Sequence, residues 1–207
     1  MSSHHKVGRP RHSTGQAGVI SAKEIKQIHR SIDLGDPDLI ARNHLVVALS
    51  YYVGLRAKEI AALQISDLYD GSSVNKVLRL TSDKVKGDKH RDLYISNSKL
   101  RTYIQDYINY RLQVDGELRL SAPLIRSRQG SKFSPASMSR MIGLIYKAAG
   151  FQSMTSHSGR RSMITDLANK GVDLNSIRVI AGHSSIATTQ RYIEHNPQVI
   201  SDILKSR

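Results

Sequence analysis

Cysteine is absent from the 207-residue sequence. A chain without cysteine forms neither disulfides nor thiolate zinc sites, and this composition fits a cytosolic protein. Long apolar runs are missing too, because no stretch approaches the roughly 20 residues that a membrane-spanning helix needs. The N-terminus also lacks the apolar core of a signal peptide. These absences favour a cytoplasmic protein over a secreted or membrane-embedded one.

Acidic residues are scarce relative to basic ones. Asp and Glu number 17 against 31 Lys and Arg, which gives a net charge of +14 and a pI near 10.1. This excess is too large for a solvated surface alone and indicates a polyanionic partner, most commonly nucleic acid. An anionic membrane is the weaker alternative, given the missing apolar run. The length suits one domain with its own core.

Residues 1–20 contain no acidic residue and few apolar ones, and we expect them to form a disordered basic tail. Arg9 and Arg11 flank Pro10 in a phrase that looks like an AT-hook core, which lies in the minor groove of A·T-rich DNA. The favoured interpretation is simpler: a basic tail that adds salt-dependent affinity for phosphates. Both make Arg9 and Arg11 candidate DNA contacts. The folded domain is predicted over residues 21–207, with a C-terminal tail at 194–207.

Helical spacing of apolar residues dominates this domain. Ser21 with Glu24 three residues later predicts a capping box, and Ser134-Pro135 opens another helix. Further helices are predicted to open at Arg56 and to cover about residues 39–53, 98–114, 156–170, 173–181 and 185–191. The predicted fold class is α+β, mostly helical with a small antiparallel sheet.

Alternating spacing over residues 74–95 predicts a β-hairpin with its turn near Gly87. Four basic side chains crowd its tip: Lys84, Lys86, Lys89 and Arg91. Most should contact the DNA phosphate backbone, while one mobile lysine can protonate a leaving oxygen. Leu124-Ile125 is predicted to be a short edge strand.

The last quarter of the chain carries a set of side chains suited to phosphate chemistry. His157 and Arg160 are three residues apart, so a helix presents both from one face. Gly182 ends the next predicted helix, His183 follows it, and Tyr192 comes nine residues later. Cations hold an anion, imidazoles handle protons, and a phenol supplies an oxygen nucleophile. Each residue alone is more often structural, so the joint spacing carries the prediction.

These residues resemble the tyrosine recombinase family, which includes phage integrases and Xer-type recombinases. The family phrases H-x-x-R, G-H/W and the later Tyr are matched by His157-Ser158-Gly159-Arg160, Gly182-His183 and Tyr192. The phrase G-L/F-R-x-x-E is matched by Gly54-Leu55-Arg56-Ala57-Lys58-Glu59, and K-G-x-K-x-R by Lys86-Gly87-Asp88-Lys89-His90-Arg91. The likeness spans about residues 20–195.

The resemblance implies a tyrosine recombinase catalytic domain that cuts and rejoins DNA without metal or other cofactor. Tyr192 would attack the scissile phosphodiester and form a 3′-phosphotyrosyl link. Arg56 and Arg160 would clamp the non-bridging oxygens, and Lys86 would protonate the leaving oxygen. Lys84 and Lys89 remain alternatives to Lys86, because the turn register is not determined by the sequence.

The resemblance also implies supporting roles. His157 would take the Tyr192 proton, His183 would hydrogen-bond the phosphate, and Glu59 would orient Arg56 or a neighbouring cation. For Glu59 alone, an exposed ion pair on a helix is the plainer interpretation. Arg140 and Arg161 are further candidate DNA contacts, although Arg161 equally fits a structural support and Arg140 a solvated face.

The implied partner is double-stranded DNA, bound by a homo-oligomer that is tetrameric in synapsis and monomeric when free of DNA. Accessory DNA-bending proteins are a further implied partner. The implied location is the nucleoid of a bacterial, archaeal or phage-infected cell. Two departures from the family pattern stand out. Gly159 replaces a large apolar residue and should loosen the packing that aims Arg160. Only the tail of residues 1–20 precedes the predicted catalytic fold, where full-length members of the family carry a separate helical DNA-binding domain. The C-terminal tail packs either on its own domain or on a neighbouring protomer. A non-cutting DNA-binding regulator and a relaxing topoisomerase are the alternative functions.

Overall fold

The computed structural model of the chain describes residues 17–81, 90–127, 130 and 132–190. The helices in these residues are α1 (Ala22–Asp33), α2 (Pro37–Tyr52), α3 (Ala57–Ala62), α4 (Ile65–Leu68), α5 (Ser98–Asp115), α6 (Pro135–Ala148), α7 (Ser158–Asn169), α8 (Leu174–Ala181) and α9 (Ile186–Gln190). Two strands, β1 (Val77–Leu80) and β2 (Arg91–Tyr94), form an antiparallel hairpin, which confirms the predicted α+β class. Across this described part, no helix combines the length and apolar character needed to cross a membrane.

Capping residues visible in the sequence set the helix starts. At α1, the Ser21 hydroxyl accepts a hydrogen bond from the Glu24 N–H at 3.2 Å, and the Glu24 carboxylate accepts one from the Ser21 N–H at 2.7 Å. The predicted capping box is therefore confirmed. α6 begins at Pro135 behind its N-cap Ser134, also as predicted.

α2 begins earlier than predicted. Its first residue is Pro37 rather than residue 39, since the Asp36 carboxylate accepts a hydrogen bond from the Asp38 N–H at 3.1 Å. Proline suits the first helical position because its missing N–H would have no partner there.

The helix that opens after Arg56 is interrupted at Leu63, so it becomes α3 and α4. Leu63 has extended backbone, and its carbonyl accepts a hydrogen bond from the Leu124 N–H at 2.8 Å. An isolated bridge joins Gln64 to Pro123 next to it. The prediction of an edge strand at Leu124-Ile125 is therefore wrong. The segment is buried and forms no strand, and its pairing is limited to these contacts with the α3–α4 junction.

The hairpin register places apolar side chains on one face. Leu78 pairs with Leu93 and Leu80 pairs with Arg91, and all four side chains are buried. Because side chains alternate along a strand, Arg91 shares the inward face with Leu93.

α2 is the centre of packing. It contacts α1, α5, α6 and α7, and every residue from 45 to 50 is buried. A helix buried on most of its sides is a core helix rather than a surface one. A second, smaller apolar cluster joins α7 to α8 and consists of Met163, Ile164, Ile177 and Ala181.

α7 approaches α2 closely at Gly159. A Cβ at this position would lie 2.5 Å from Ser50 Oγ and 3.0 Å from the Ser50 carbonyl carbon. A larger residue would push α7 away from α2, because packed interiors leave no room for extra atoms. The expectation that Gly159 loosens the packing behind Arg160 is therefore wrong, since glycine is what permits this close contact.

Gly159→Ala should lower the free energy of unfolding by about 1–3 kcal/mol, the usual cost of overpacking. Gly143→Ala is the matched control: Gly143 lies inside α6, and an added Cβ meets no neighbouring heavy atom within 4 Å. The control should raise the free energy of unfolding by about 0.5–1 kcal/mol, through helix propensity. Urea denaturation followed by circular dichroism measures both, and equal effects would contradict the tight α2–α7 contact.

Candidate active site

Arg56 stands at the corner between α2 and α3. After α2 ends at Tyr52, Gly54 adopts a left-handed conformation with φ of 66°, and Arg56 is the N-cap residue of α3. Its Nη1 donates to Glu59 Oε1 at 2.8 Å, and its Nη2 donates to the Gly182 carbonyl at 3.3 Å. The guanidinium is thus held at two points while the side chain stays 28% exposed.

The carboxylate of Glu59 lies between two guanidinium groups and is fully buried. Oε1 accepts from Arg56, while Oε2 accepts from Arg91 Nη2 at 2.8 Å and from the Arg56 N–H at 2.8 Å. Burial favours the protonated acid, but Arg91 and Arg56 outweigh this and hold the pKa of Glu59 below its ordinary value. The exposed ion pair considered for Glu59 is therefore excluded in favour of a buried orienting group.

Arg91 does not fit its predicted role as a phosphate contact. The side chain is 8% exposed, with Nη2 on Glu59 and Nη1 donating to the Ala181 carbonyl at 2.8 Å. Desolvation lowers the pKa of Arg91, and the Glu59 charge opposes that shift. The inward face of β2 holds this guanidinium in the protein interior, so the structure corrects the prediction.

Arg160 lies on the first turn of α7. This helix begins at Ser158 with His157 as its N-cap residue, two residues later than predicted. The buried guanidinium donates from Nη1 to the Gly54 carbonyl at 2.7 Å and from Nη2 to the Ala181 carbonyl. Arg160 thereby connects the corner after α2 to the end of α8.

The C-terminal end of α8 is the point where the three arginines meet. Asp173 caps the start of this helix, and Gly182 ends it in the left-handed conformation with φ of 62°. Its last carbonyls have no intrahelical partner and carry partial negative charge. Ala181 and Gly182 accept from the arginines at positions 56, 91 and 160. A Cβ on Gly182 would overlap the guanidinium of Arg91, so glycine is required there.

Two imidazoles lie in the field of these arginines. Desolvation, Arg160 and Arg56 all lower the pKa of His157, whose side chain reaches the surface. His183 is buried, and desolvation, Arg160, Arg56 and Arg91 lower its pKa to about 4. Its Nδ1 lies 2.9 Å from Thr189 Oγ1 on α9. Both rings are therefore neutral near pH 7, and a neutral imidazole accepts a hydrogen bond at one nitrogen and donates one from the other.

The described residues thus bring together four of the predicted catalytic side chains: Arg56, His157, Arg160 and His183. Lys86 and Tyr192 lie outside the described residues, as do the other predicted DNA contacts Arg9, Arg11, Lys84 and Lys89. The described chain reaches Gln190, at the end of α9, two positions before Tyr192.

The remaining two candidate DNA contacts, Arg140 and Arg161, differ in their exposure to solvent. Arg140 is exposed on α6, so it remains a candidate. Arg161 is buried, and its Nη1 donates to the Ala17 carbonyl at 2.9 Å, which fits the structural support considered beside the DNA contact. Sequence reasoning missed Thr189, the partner of His183, because a hydroxyl in a Ser/Thr-rich helix carries no distinguishing pattern.

Comparison with known proteins identifies the family of the chain. The profile of the phage integrase family matches residues 19–199. The tyrosine recombinase XerC of Bacillus pumilus (strain SAFR-032) is 27% identical over 192 residues, covering 90% of this chain and 60% of the relative. XerC of Mesorhizobium japonicum is 33% identical over 158 residues, covering 76% and 48%. The chain therefore spans about half of the length of these curated relatives.

Solved structures share the fold. The crystal structure of XerA recombinase has a TM-score of 0.71 at 24% identity and covers 93% of this chain and 66% of that one. XerH site-specific recombinase, in a post-cleavage complex with a palindromic difH substrate, has a TM-score of 0.72 at 22% identity and covers 93% and 53%.

The pKa of His183 should appear in a titration followed by two-dimensional NMR, with the signal assigned by its loss in His183→Gln. We expect the ring to stay neutral from pH 8 to about 5, with a midpoint near 4. Because this folded-state pKa lies below the ordinary value of about 6.5, the associated stability is complete above that pH and declines as the pH falls towards 4. When the pH is lowered from 7 to 5, the free energy of unfolding, measured by urea denaturation, should therefore fall less for His183→Gln than for the wild type. A midpoint near the ordinary value of about 6.5 would contradict the burial of His183 among the three arginines.

Proposed function

Because the chain belongs to the phage integrase family, we propose that it is a site-specific DNA recombinase that cuts and rejoins DNA through a 3′-phosphotyrosyl intermediate. The observation that carries the proposal is the convergence of Arg56, Arg160 and two neutral imidazoles at the end of α8. Cationic donors beside proton-exchanging groups are what a phosphodiester needs when its charge rises during attack.

The arginines bind and stabilise the phosphate in this mechanism. A guanidinium has five N–H donors in a planar fork, and Arg56 keeps part of that fork exposed. Its position is set in advance by Glu59 and the Gly182 carbonyl, so little reorganisation is needed when DNA binds. Arg160 is buried and fixed by the carbonyls of Gly54 and Ala181, so its role in this mechanism is to add positive charge next to the phosphate that Arg56 contacts.

Proton transfers accompany the exchange of one P–O bond for another. The Tyr192 oxygen bonds to phosphorus, the bond to the 5′ oxygen breaks, and the phenol proton passes to His157. Lys86 gives a proton to the departing 5′ oxygen. His157 can accept because its pKa is lowered and the ring is neutral. Thr189 holds Nδ1 of His183, which leaves Nε2–H as the donor to the phosphate when Nδ1 is the acceptor.

Rejoining follows from the same chemistry in reverse. The phosphotyrosyl bond keeps the energy of the phosphodiester, so a 5′-hydroxyl from another strand can attack it and release Tyr192. Strand exchange between two sites brings several protomers together, so we also propose double-stranded DNA as the partner and a homo-oligomer, tetrameric in synapsis. The proposed location is the nucleoid in the cytoplasm.

Tyr192→Phe tests the nucleophile. A duplex with a nick near the scissile phosphate loses its short 5′-hydroxyl strand after cleavage, so the covalent adduct accumulates. We expect the wild type to form an adduct that resists SDS, and Tyr192→Phe to bind the same DNA without forming one. Sequencing the attached DNA identifies the site. Absence of an adduct in the wild type would instead favour a non-cutting regulator, and relaxed circles without recombinants would favour a topoisomerase.

Removing either arginine should slow cleavage at saturating DNA by about 10²–10³-fold, the usual loss for one such donor. Arg56→Met and Arg160→Met are the test variants, measured as single-turnover adduct formation. Arg178→Ala is the control, since Arg178 lies on the same helix as the carbonyl cluster but bonds to Asn175. The control should cleave at the wild-type rate. An unchanged rate in both test variants would overturn the assigned roles.

A further inference from the structure

Arg91 links three parts of the chain that surround the candidate site. It lies on β2, its Nη2 reaches Glu59 on α3, and its Nη1 reaches the carbonyl of Ala181 at the end of α8. These partners are 32 and 90 positions away in the sequence. The side chain is 8% exposed, so its contacts are with protein rather than solvent.

Through Glu59, Arg91 acts on Arg56. Each oxygen of this buried carboxylate has a guanidinium partner, Oε1 on Arg56 and Oε2 on Arg91. A buried carboxylate that loses one of two cations turns towards the other, because an unpaired buried charge is strongly unfavourable. Without Arg91, Glu59 would therefore draw the Arg56 guanidinium away from its position beside Gly182.

Arg91 also supports the turn that leads to His183. A Cβ placed on Gly182 would overlap the Arg91 guanidinium and lie 3.2 Å from its Cδ, so the turn packs directly against this side chain. Desolvation, Arg160 and Arg56 lower the pKa of His183 most, and the charge of Arg91 adds to them. The buried Arg91 guanidinium therefore contacts groups that position two site residues: Glu59, which bonds to Arg56, and the turn that leads to His183.

We propose that Arg91 is a positioning residue for DNA cleavage, holding Arg56 through Glu59 and the Gly182-His183 turn through the Ala181 carbonyl. This role rests on the proposed function. It differs from phosphate binding, which would place the guanidinium on the DNA-facing surface and give it a phosphate partner.

Positioning and phosphate binding predict different measurements for Arg91→Met. Loss of a positioning residue should slow single-turnover adduct formation at saturating DNA by about 10–100-fold, on the scale for misplacing a reacting group. The Kd for DNA, from fluorescence anisotropy, should stay within about twofold of wild type with an unchanged salt slope. Loss of a phosphate contact would instead weaken binding and reduce the slope by about 1.

Arg111→Met is the matched control. Arg111 is also buried, pairs with Asp115 at 2.7 Å, and donates to the carbonyls of Pro123 and Leu124. It offers the same kind of contacts as Arg91 at a place that touches no site residue. Arg111→Met should be destabilised and yet cleave at the wild-type rate under folded conditions. Equal slowing in both variants would mean that general destabilisation explains the effect.

Two more variants separate charge from geometry. Arg91→Lys keeps the charge but cannot form the two-pronged contact, so its rate should fall between wild type and Arg91→Met. Adding Glu59→Gln to Arg91→Met removes both charges, and the double variant should be little slower than the slower single variant, because both residues act along one path. The double variant also replaces Arg91→Met if that protein does not fold.

The His183 titration makes the proposal testable even without cleavage. Removing Arg91 should raise the His183 midpoint above about 4, while Arg111→Met should leave it in place. If the wild type forms no adduct, the proposed function fails, and an unmoved midpoint then also overturns the Arg91 role. With an active wild type, Arg91→Met cleaving at full rate, or losing affinity with a smaller salt slope, overturns the proposal.

Discussion

The arrangement of the site depends on the two carbonyl oxygens at the end of α8. Ala181 accepts from Arg91 and Arg160, and Gly182 accepts from Arg56. Three guanidinium groups so close together would repel one another in the absence of counter-charge. The helix end supplies partial negative charge, and the buried carboxylate of Glu59 supplies a full one between two of them. The depressed pKa values of both imidazoles follow first from desolvation and then from the positive charge that remains.

The family phrases in the sequence include four side chains that the described residues bring together, namely Arg56, His157, Arg160 and His183, because the signals behind those phrases are local. Helix caps, the glycine after α8 and the phrase around Arg56 each specify a short piece of backbone. How deeply a side chain is buried cannot be predicted from such local signals. Alternation in β2 defines two faces, and one presents Arg91 with Leu93 while the other presents Asp92 with Tyr94. A cation shows its interior position only when its acceptors, distant in sequence, are known.

The same limit explains the other differences. Leu63 leaves the helix because its carbonyl meets a partner 61 positions later, and no local propensity encodes that bond. Gly159 is an unfavourable residue for a helix by propensity, yet the proximity of Ser50 makes it the one that fits. Tertiary contacts overrule local preference in both places. The class of fold was less sensitive to these contacts, since a helix whose predicted boundary is wrong by two residues keeps the same faces.

The separate apolar cluster between α7 and α8 has a consequence for how the molecule opens. Among the residues that the structure describes, four buried side chains form it, whereas the main core gathers 35 around α2. Regions with few buried contacts exchange their amide protons through partial unfolding well below the global free energy. Within the described residues, α8 is therefore expected to open before the main core, and the arginine bonds to its last turn are among the contacts that hold it in place. A phosphate bound by those arginines would favour the closed position of α8, so phosphate affinity and the local opening equilibrium would be thermodynamically linked.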